Sequence, residues 1–170
     1  FPPHSRLLLF QQRPDHSFFD FGQDAGIDIL NPTGAVVVDL NQDGLLDLVV
    51  GQSSIRDARI KPRLYLFENR SQPSNKHRSI TIRLQGKSSN SAGVGASIWL
   101  KSSKRLQRRQ LQLIHGPLAS QSPTQAHFGL EVGERAEYLE VRWPYRKSGR
   151  DSFGAIRYPL AGKVNSDFSG

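Results

Sequence analysis

The feature that most constrains this chain is an acidic loop between two runs of β-branched residues. The loop, residues 39–47, reads Asp-Leu-Asn-Gln-Asp-Gly-Leu-Leu-Asp. Gly44 stands at its sixth position, where a left-handed backbone permits a tight turn. Because calcium takes about 6–8 oxygen ligands, the alternation of oxygen-bearing side chains favours a calcium site. The predicted ligands are the side chains of Asp39, Asn41, Asp43 and Asp47 and the backbone carbonyl of Leu45. An acidic turn without metal is the alternative, since Asn, Asp and Gly favour turns in any case.

The residues on either side of the loop exclude an EF-hand. That motif needs a bidentate Glu at position twelve and a helix on each side, whereas position twelve here is Val50. The flanks, residues 35–38 and 46–50, are rich in Val and Leu, which indicates strands. We therefore expect a calcium loop inside a β-hairpin, where the ion stabilises the turn.

Length and composition limit the architecture. The chain has 170 residues with a formal net charge of +8 and neither Cys nor Met. A chain of this length makes one or two small domains, and the absence of Cys excludes disulfides, thiolate zinc sites and Cys nucleophiles. No run of 18 apolar residues occurs, so we expect no transmembrane segment. The start without Met leads us to expect a piece of a longer or processed product.

The alternation of apolar and polar residues predicts an all-β protein in two sections. The first section, residues 1–74, has predicted strands at 6–11, 17–21, 34–40, 46–51 and 63–69. The second, residues 75–161, has predicted strands at 79–84, 96–100, 105–114 and 138–143. We expect residues 162–170 to form a flexible tail.

The first section resembles a known repeat. Its loop region, residues 34–48, together with 63–69 and 19–27, resembles the calcium-binding FG-GAP/VCBS repeat, the blade unit of integrin-type β-propellers. The resemblance implies one propeller-type blade, an antiparallel sheet with a calcium hairpin. A closed propeller needs at least about four blades. A single blade implies either the C-terminal piece of a propeller protein or a blade completed by partner chains.

The second section resembles the ASPIC/UnbV domain, which follows such repeats in exported proteins. The residues that carry the likeness are 82–86, 89–90, 93–96, 120–122, 127–130 and 141–144. The chain departs from the family pattern at Ser91, where Arg is usual, and after Pro144, where Gly is usual. The resemblance implies a β-sandwich-like C-terminal domain and an extracellular, cell-surface or periplasmic location.

A basic run in the second section is a candidate site for an anionic partner. Its residues are Lys101, Lys104, Arg105, Arg108 and Arg109. An acidic polysaccharide or a lipid head group at a membrane surface ranks above DNA, because no aromatic residue interleaves the run as single-strand binders require. The alternative is the solvated face of a hairpin, where arginine stems cover apolar neighbours.

The remaining candidates argue against catalysis. We expect Trp99 and Trp143 to pack in the core or at its rim, with a sugar-stacking platform as the alternative. The five His residues are scattered, and none pairs with another at metal-ligand spacing. We expect His127 to cap or pack in the second domain. The sequence holds no acid/base pair that would support an enzyme of carbohydrate chemistry.

The sequence thus predicts a non-enzymatic, calcium-stabilised adhesion or protein/glycan interaction module of an exported protein. Its expected cofactor is Ca²⁺, and its expected partner is a protein or an acidic glycan. The alternative is an accessory or structural subunit of a larger, membrane-associated assembly, with its blade edges completed by partner chains.

Overall fold

The chain is all-β in every part described. The computed structural model describes residues 5–71, 78–87, 90–114, 121–144, 155–160 and 168–169, and no regular element among them is a helix. The predicted all-β class is confirmed. The strands are β1 (Phe10–Gln12), β2 (Phe18–Asp20), β3 (Pro32–Val38), β4 (Asp47–Gln52), β5 (Arg63–Phe67), β6 (Arg78–Gln85), β7 (Ser97–Ser102), β8 (Leu106–Gln110), β9 (Gln125–Leu130), β10 (Ala136–Arg142), β11 (Ile156–Pro159) and β12 (Phe168–Ser169). Across these ranges we find no helix able to cross a membrane.

The strands fall into two compact units. The first unit contains β1–β5 and the second contains β6–β12, with the division after Asn69. Gln42–Leu45, the tip of the acidic loop, is grouped with the second unit. The boundary predicted between residues 74 and 75 lies outside the described residues, as does most of the predicted tail, 162–170.

Two antiparallel sheets make up the first unit. β1 pairs with β2, and β3, β4 and β5 form a three-stranded sheet in sequence order. The predicted strands 34–40, 46–51 and 63–69 are therefore confirmed, with ends that differ by up to two residues. The first predicted strand begins later than expected, because the backbone of Leu7 instead bonds to Ile29.

The β3-β4-β5 sheet is apolar on both faces. Val50 in its central strand is fully buried on one face. On the other face, Leu64 and Leu66 of β5 are 68% and 65% exposed, and the register places Leu66 beside Val49. Within the described part of the first unit, apolar side chains are buried only at Ile27, Ile29 and Val50. This sheet therefore leaves apolar surface uncovered.

The second unit has two sheets and one shared core. One sheet has the order β11-β10-β7-β8, and the other has the order β12-β6-β9. Strict alternation in β6 buries Ile80, Ile82 and Leu84, as predicted. The core also takes Ala96, Ile98, Leu100, Leu111, Ala126, Phe128, Leu130, Leu139, Val141 and Leu160. Both sheets enter this core, as a β-sandwich-like domain requires. None of the sheets in the described ranges is closed, and the propeller blade stays a prediction.

Three strands of the second unit were not predicted: β9, β11 and β12, the last of which pairs parallel with β6. β9 contains His127 within the stretch that carries the family likeness, and it pairs antiparallel with β6. His127 stands opposite Thr81, whose hydroxyl lies 3.2 Å from its Nδ1. β11 pairs with β10 through residues 156–159.

Gly93 turns the chain into β7. Its backbone has a φ of 64°, a conformation that costs other residues roughly 1–2 kcal/mol. A Cβ at this position would lie 2.9 Å from the Cβ of Leu84 in the core. The tight turn predicted before the strand is therefore confirmed, and only glycine fits it.

A buried carboxylate braces two turns of the second unit. Glu134 precedes β10, and its side chain accepts hydrogen bonds from the Ser102 hydroxyl and, at 2.7 Å, from the backbone N–H of Glu131. The Arg105 guanidinium lies 3.3 Å away. Burial raises the pKa of Glu134, but the Glu131 N–H, the Ser102 hydroxyl and the nearby cations outweigh it and lower the pKa overall.

Candidate functional site

The acidic loop is held at its base by Asp47. This buried side chain begins β4, and its two oxygens accept the backbone N–H groups of Leu40 at 2.9 Å and Asn69 at 2.8 Å. The Asn69 amide in turn donates to the Leu46 carbonyl at 3.2 Å. Asp47 therefore joins the start of the loop to the residues after β5, a structural role that the sequence did not reveal.

The tip of the loop has the turn that the sequence predicts. Gly44 has a φ of 88°, as expected for its position. Gln42 also adopts a positive φ of 62°, which the sequence did not predict. Asn41 and Asp43 are exposed, and the Asp43 carboxylate accepts the Leu45 N–H at 2.8 Å.

The three carboxylates of the predicted calcium site do not form a metal cluster as placed. No group of three His, Cys, Asp or Glu side chains that could hold a metal occurs in the described ranges, which include Asp39, Asp43 and Asp47. Asp39 is half-buried, and Asp47 already accepts two backbone N–H groups. The calcium site, including Asn41 and Leu45, stays a prediction.

The structure distributes the basic run over different surfaces. Ile98 and Leu100 of β7 enter the core, so Ser97, Trp99 and Lys101 point to the outer face of the sheet. Arg108 of β8 stands directly opposite Trp99 and shares that face. Two of the five predicted basic residues, Lys101 and Arg108, are thus together on the outer face.

The other three basic residues have different environments. Lys104 and Arg105 lie in the turn after β7 and form ion pairs with Glu131 at 3.1 and 3.4 Å. The Arg109 guanidinium lies 5.4 Å from the ring centroid of Phe128, a core residue, so it covers the opposite side of the sheet. The run is therefore not one continuous cationic patch.

Trp99 lies at the centre of the outer face. The guanidinium carbon of Arg108 is 5.2 Å from its ring centroid, and that of Arg142 is 4.6 Å away. β8 and β10 flank β7 on opposite sides, so the two guanidiniums approach the indole from neighbouring strands. No aromatic residue interleaves the basic run in sequence, but strand register places Trp99 between Arg108 and Arg142 in space.

Glu140 holds two of the cations on the outer face in place. It stands opposite Trp99 in β7 and opposite Arg157 in β11. Its carboxylate accepts hydrogen bonds from Arg157 and Arg142, both at 3.0 Å. The Arg157 hydrogen bond lowers the pKa of Glu140 most, burial opposes it, and Arg142 lowers it further. Glu140 therefore stays ionised at neutral pH and fixes both arginines.

A groove lies at the end of this face. It has a volume of about 430 Å³ and is lined by Ser97, Trp99, Arg108, Arg142, Trp143 and Pro144, among others. Trp143 is half-buried and packs against the core with part of its ring. The expectation that both tryptophans pack in the core or at its rim fits Trp143, whereas Trp99 faces outward.

Comparisons with known proteins support the likeness of the second section. Residues 86–152 match the family model described as ASPIC and UnbV. The resemblance predicted from the sequence is confirmed over this part of the chain, which includes the groove and the outer-face residues other than Arg157. Searches of curated proteins and of solved structures returned no match. The FG-GAP/VCBS resemblance of the first section stays a prediction.

Proposed function

We propose that this chain is a non-enzymatic interaction module of an exported protein, and that its outer sheet face contacts an acidic protein or glycan. The observation that carries the proposal is the placement of Arg108 and Arg142 around Trp99. The likeness of residues 86–152 to ASPIC and UnbV is consistent with an interaction module of this kind.

The charge of the outer face supports an acidic partner. Its described cations are Lys101, Arg108, Arg142 and Arg157, and Glu140 is the acidic residue among them. The chain as a whole carries a net charge of +8. Complementary charge raises the rate of encounter and disfavours wrong partners, so an acidic surface is the partner that this face fits.

The pKa values favour binding over catalysis. The pKa of Glu134 and that of Glu140 are both lowered, so both carboxylates are ionised at neutral pH. A general acid or base works best with a pKa near the working pH. The two carboxylates instead hold arginines and backbone donors in place.

Chromatography at rising salt tests the interaction. We expect the full chain to elute from heparin-agarose at a higher salt concentration than from a sulfopropyl cation exchanger. Cations arranged to bind heparin raise the salt concentration needed for elution from heparin-agarose, whereas charge without such an arrangement gives equal elution from both resins. Elution at the same salt concentration from both resins would contradict the proposal.

Calcium stabilisation is the second part of the proposal. Asp39, Asn41, Asp43, Asp47 and the Leu45 carbonyl supply oxygen ligands of the type that calcium prefers. The three carboxylates do not form a metal cluster as placed, so we expect calcium to draw them closer together. Extracellular modules bind calcium at roughly 10⁻⁴–10⁻³ M, which suits the expected location at the cell surface, outside the cell or in the periplasm.

A melting experiment tests the calcium proposal. At calcium concentrations about ten times Kd, we expect stabilisation of about 1.4 kcal/mol and a Tm higher than in EDTA. Asp43→Asn should reduce the shift. Asp15→Asn, in a turn outside the loop, is the matched control and should keep it. Equal Tm values in calcium and EDTA for the unaltered chain would contradict the proposal.

A larger assembly is the second candidate function. It is favoured by the apolar surface on both faces of the β3-β4-β5 sheet, where Leu64 and Leu66 are exposed. An accessory or structural subunit, near a membrane or elsewhere, would cover these residues with partner chains. Native mass spectrometry tests this: a complex or a defined oligomer is expected, and a stable monomer at micromolar concentration would contradict it.

A further inference from the structure

The groove beside Trp99 has the parts of a small binding site. Its volume of about 430 Å³ is within the range of about 300–1,000 Å³ typical of ligand pockets. Such pockets combine apolar walls with a few placed polar groups. Here Trp143 and Pro144 form the apolar wall, and the guanidiniums of Arg108 and Arg142 supply the charge.

Trp99 acts as the support for the two guanidiniums. Both lie over its ring, where cation–π contact stabilises their positions. The two guanidiniums therefore occupy part of the Trp99 ring surface. Trp99 is a positioning residue for the two arginines, and the second indole that lines the groove is that of Trp143.

Each guanidinium is held by hydrogen bonds to one neighbouring side chain and keeps further N–H donors for a ligand. Arg108 donates one hydrogen bond from Nη2 to the Ser97 hydroxyl at 3.1 Å. Arg142 donates from Nε and Nη2 to Glu140 at 3.2 and 3.0 Å. Since a guanidinium has five N–H donors, both arginines keep N–H groups for an oxyanion. Held guanidiniums lose little entropy when they bind.

Both arginines line the groove, so an anionic unit held in it lies close to both guanidiniums. Both guanidinium carbons lie within 5.2 Å of the same ring centroid. Arginine binds carboxylate and sulfate oxygens through paired N–H donors. A sugar unit that carries such a group can meet the arginines with its oxyanion and the Trp143–Pro144 wall with its ring.

We infer that this groove binds one acidic unit of a polysaccharide, with the oxyanion on Arg108 and Arg142 and the sugar ring against Trp143. The inference rests on the proposed function and narrows it to a ligand class and a site. Single-stranded nucleic acid fits less well, because its binders stack successive bases on several aromatic residues. Of the two indoles that line the groove, Trp99 already carries the two guanidiniums.

Titration of the full chain with a heparin hexasaccharide tests the inference. Binding is followed by tryptophan fluorescence and by calorimetry at two salt concentrations. We expect Arg108→Gln and Arg142→Gln each to weaken Kd by about tenfold or more. The matched controls Lys104→Gln and Arg109→Gln remove the same charge outside the groove and should change Kd less than about threefold.

Two further variants distinguish a loss of ligand binding from a loss of folding. Arg108→Lys keeps the charge but loses the paired donors, so its Kd should lie between that of the unaltered chain and that of Arg108→Gln. Trp99→Leu should weaken binding while the dependence of Kd on salt stays the same, because no charge is lost. Circular dichroism and Tm identify variants that do not fold.

The outcomes separate this inference from the broader proposal. If the groove variants and the control variants lose the same affinity, the groove is not the binding site. The acidic partner then binds a diffuse cationic surface. Tighter binding of a single-stranded oligonucleotide, sensitive to the same groove variants, would replace the glycan with nucleic acid. If the unaltered chain binds no acidic ligand at all, the proposed function fails as well.

Discussion

The two units of this chain bury their apolar residues to very different degrees. In the second unit, alternate residues of β6, β7, β9 and β10 enter one core, and Ile98, Leu100 and Phe128 have no exposed surface. In the first unit, the sheet of β3, β4 and β5 exposes Leu64 and Leu66 by about two thirds. Burial of apolar area is the main favourable term in folding, so the second unit carries its own source of stability.

The difference separates two kinds of β-structure. The second unit has the polar-out, apolar-in strands of a sheet with one covered face. The first unit has strands that are apolar on both sides, which is typical of sheets buried on both faces. It depends to a greater degree on hydrogen bonds such as those of Asp47 and on whatever covers its apolar surface.

Removal of a central core side chain should have the largest effect. Phe128→Ala deletes a ring that is fully buried in the second unit, and such changes cost about 3–5 kcal/mol. Urea unfolding followed by circular dichroism measures the loss. Phe128→Leu is the control and should cost less, because it leaves a smaller cavity. A loss below about 1 kcal/mol for Phe128→Ala would contradict the assigned core.

Asp47→Ala should have the next largest effect and should act on the first unit. It leaves the partly buried N–H groups of Leu40 and Asn69 without their acceptor, and a buried donor left unpaired costs about 1–3 kcal/mol. EDTA in every sample removes any contribution from calcium. Asp47→Asn keeps one oxygen acceptor and should lose less. If Asp47→Ala is as stable as the unaltered chain, Asp47 does not hold the loop in place.

Acid should weaken the second unit through Glu134 and Glu140. Both pKa values are lower than in the unfolded chain, where Glu titrates near about 4.3. Their stabilisation is therefore present above that pH and is lost as the pH falls through the folded pKa values. We expect Tm to fall between about pH 5 and pH 3, and to fall less in Glu134→Gln. An identical fall in Glu134→Gln would contradict this role.

Substitution of the exposed leucines should change stability least. Leu66→Thr alters a side chain that is 65% exposed, and surface changes of this kind usually stay within about 0.5 kcal/mol. Solubility should rise, because an exposed apolar edge strand favours association. Light scattering measures association, and Leu66→Ile is the apolar control. A large loss of stability for Leu66→Thr would mean that Leu66 is covered in solution.

The sequence was informative where strands alternate or carry β-branched residues. It therefore predicted the β3-β4 hairpin around the acidic loop, together with β6, β7 and β10. It missed β9, where Gly129 interrupts a short apolar pattern, β11, which has four residues and ends in Pro159, and β12, which has two residues. These strands are defined by pairing with β6 and β10 more than by their own residues.

The candidate site could not be predicted from residues that are neighbours in the sequence. Arg108 and Arg142 meet Trp99 only through the register of β8 and β10 against β7. Arg108 belonged to the predicted basic run, whereas Arg142 and Glu140 appeared only as the polar face of a strand. Long-range register therefore determined which of the predicted cations share a surface.

Hydrogen–deuterium exchange of the full chain tests the contrast between the units most directly. We expect backbone amides of β6, β7, β9 and β10 to exchange only through global unfolding, whereas those of β3, β4 and β5 should exchange much faster through local opening. Mass spectrometry of peptic fragments resolves the two sets. Equal protection in β3–β5 and in the second-unit core strands would contradict the claim that only the second unit carries a self-sufficient core.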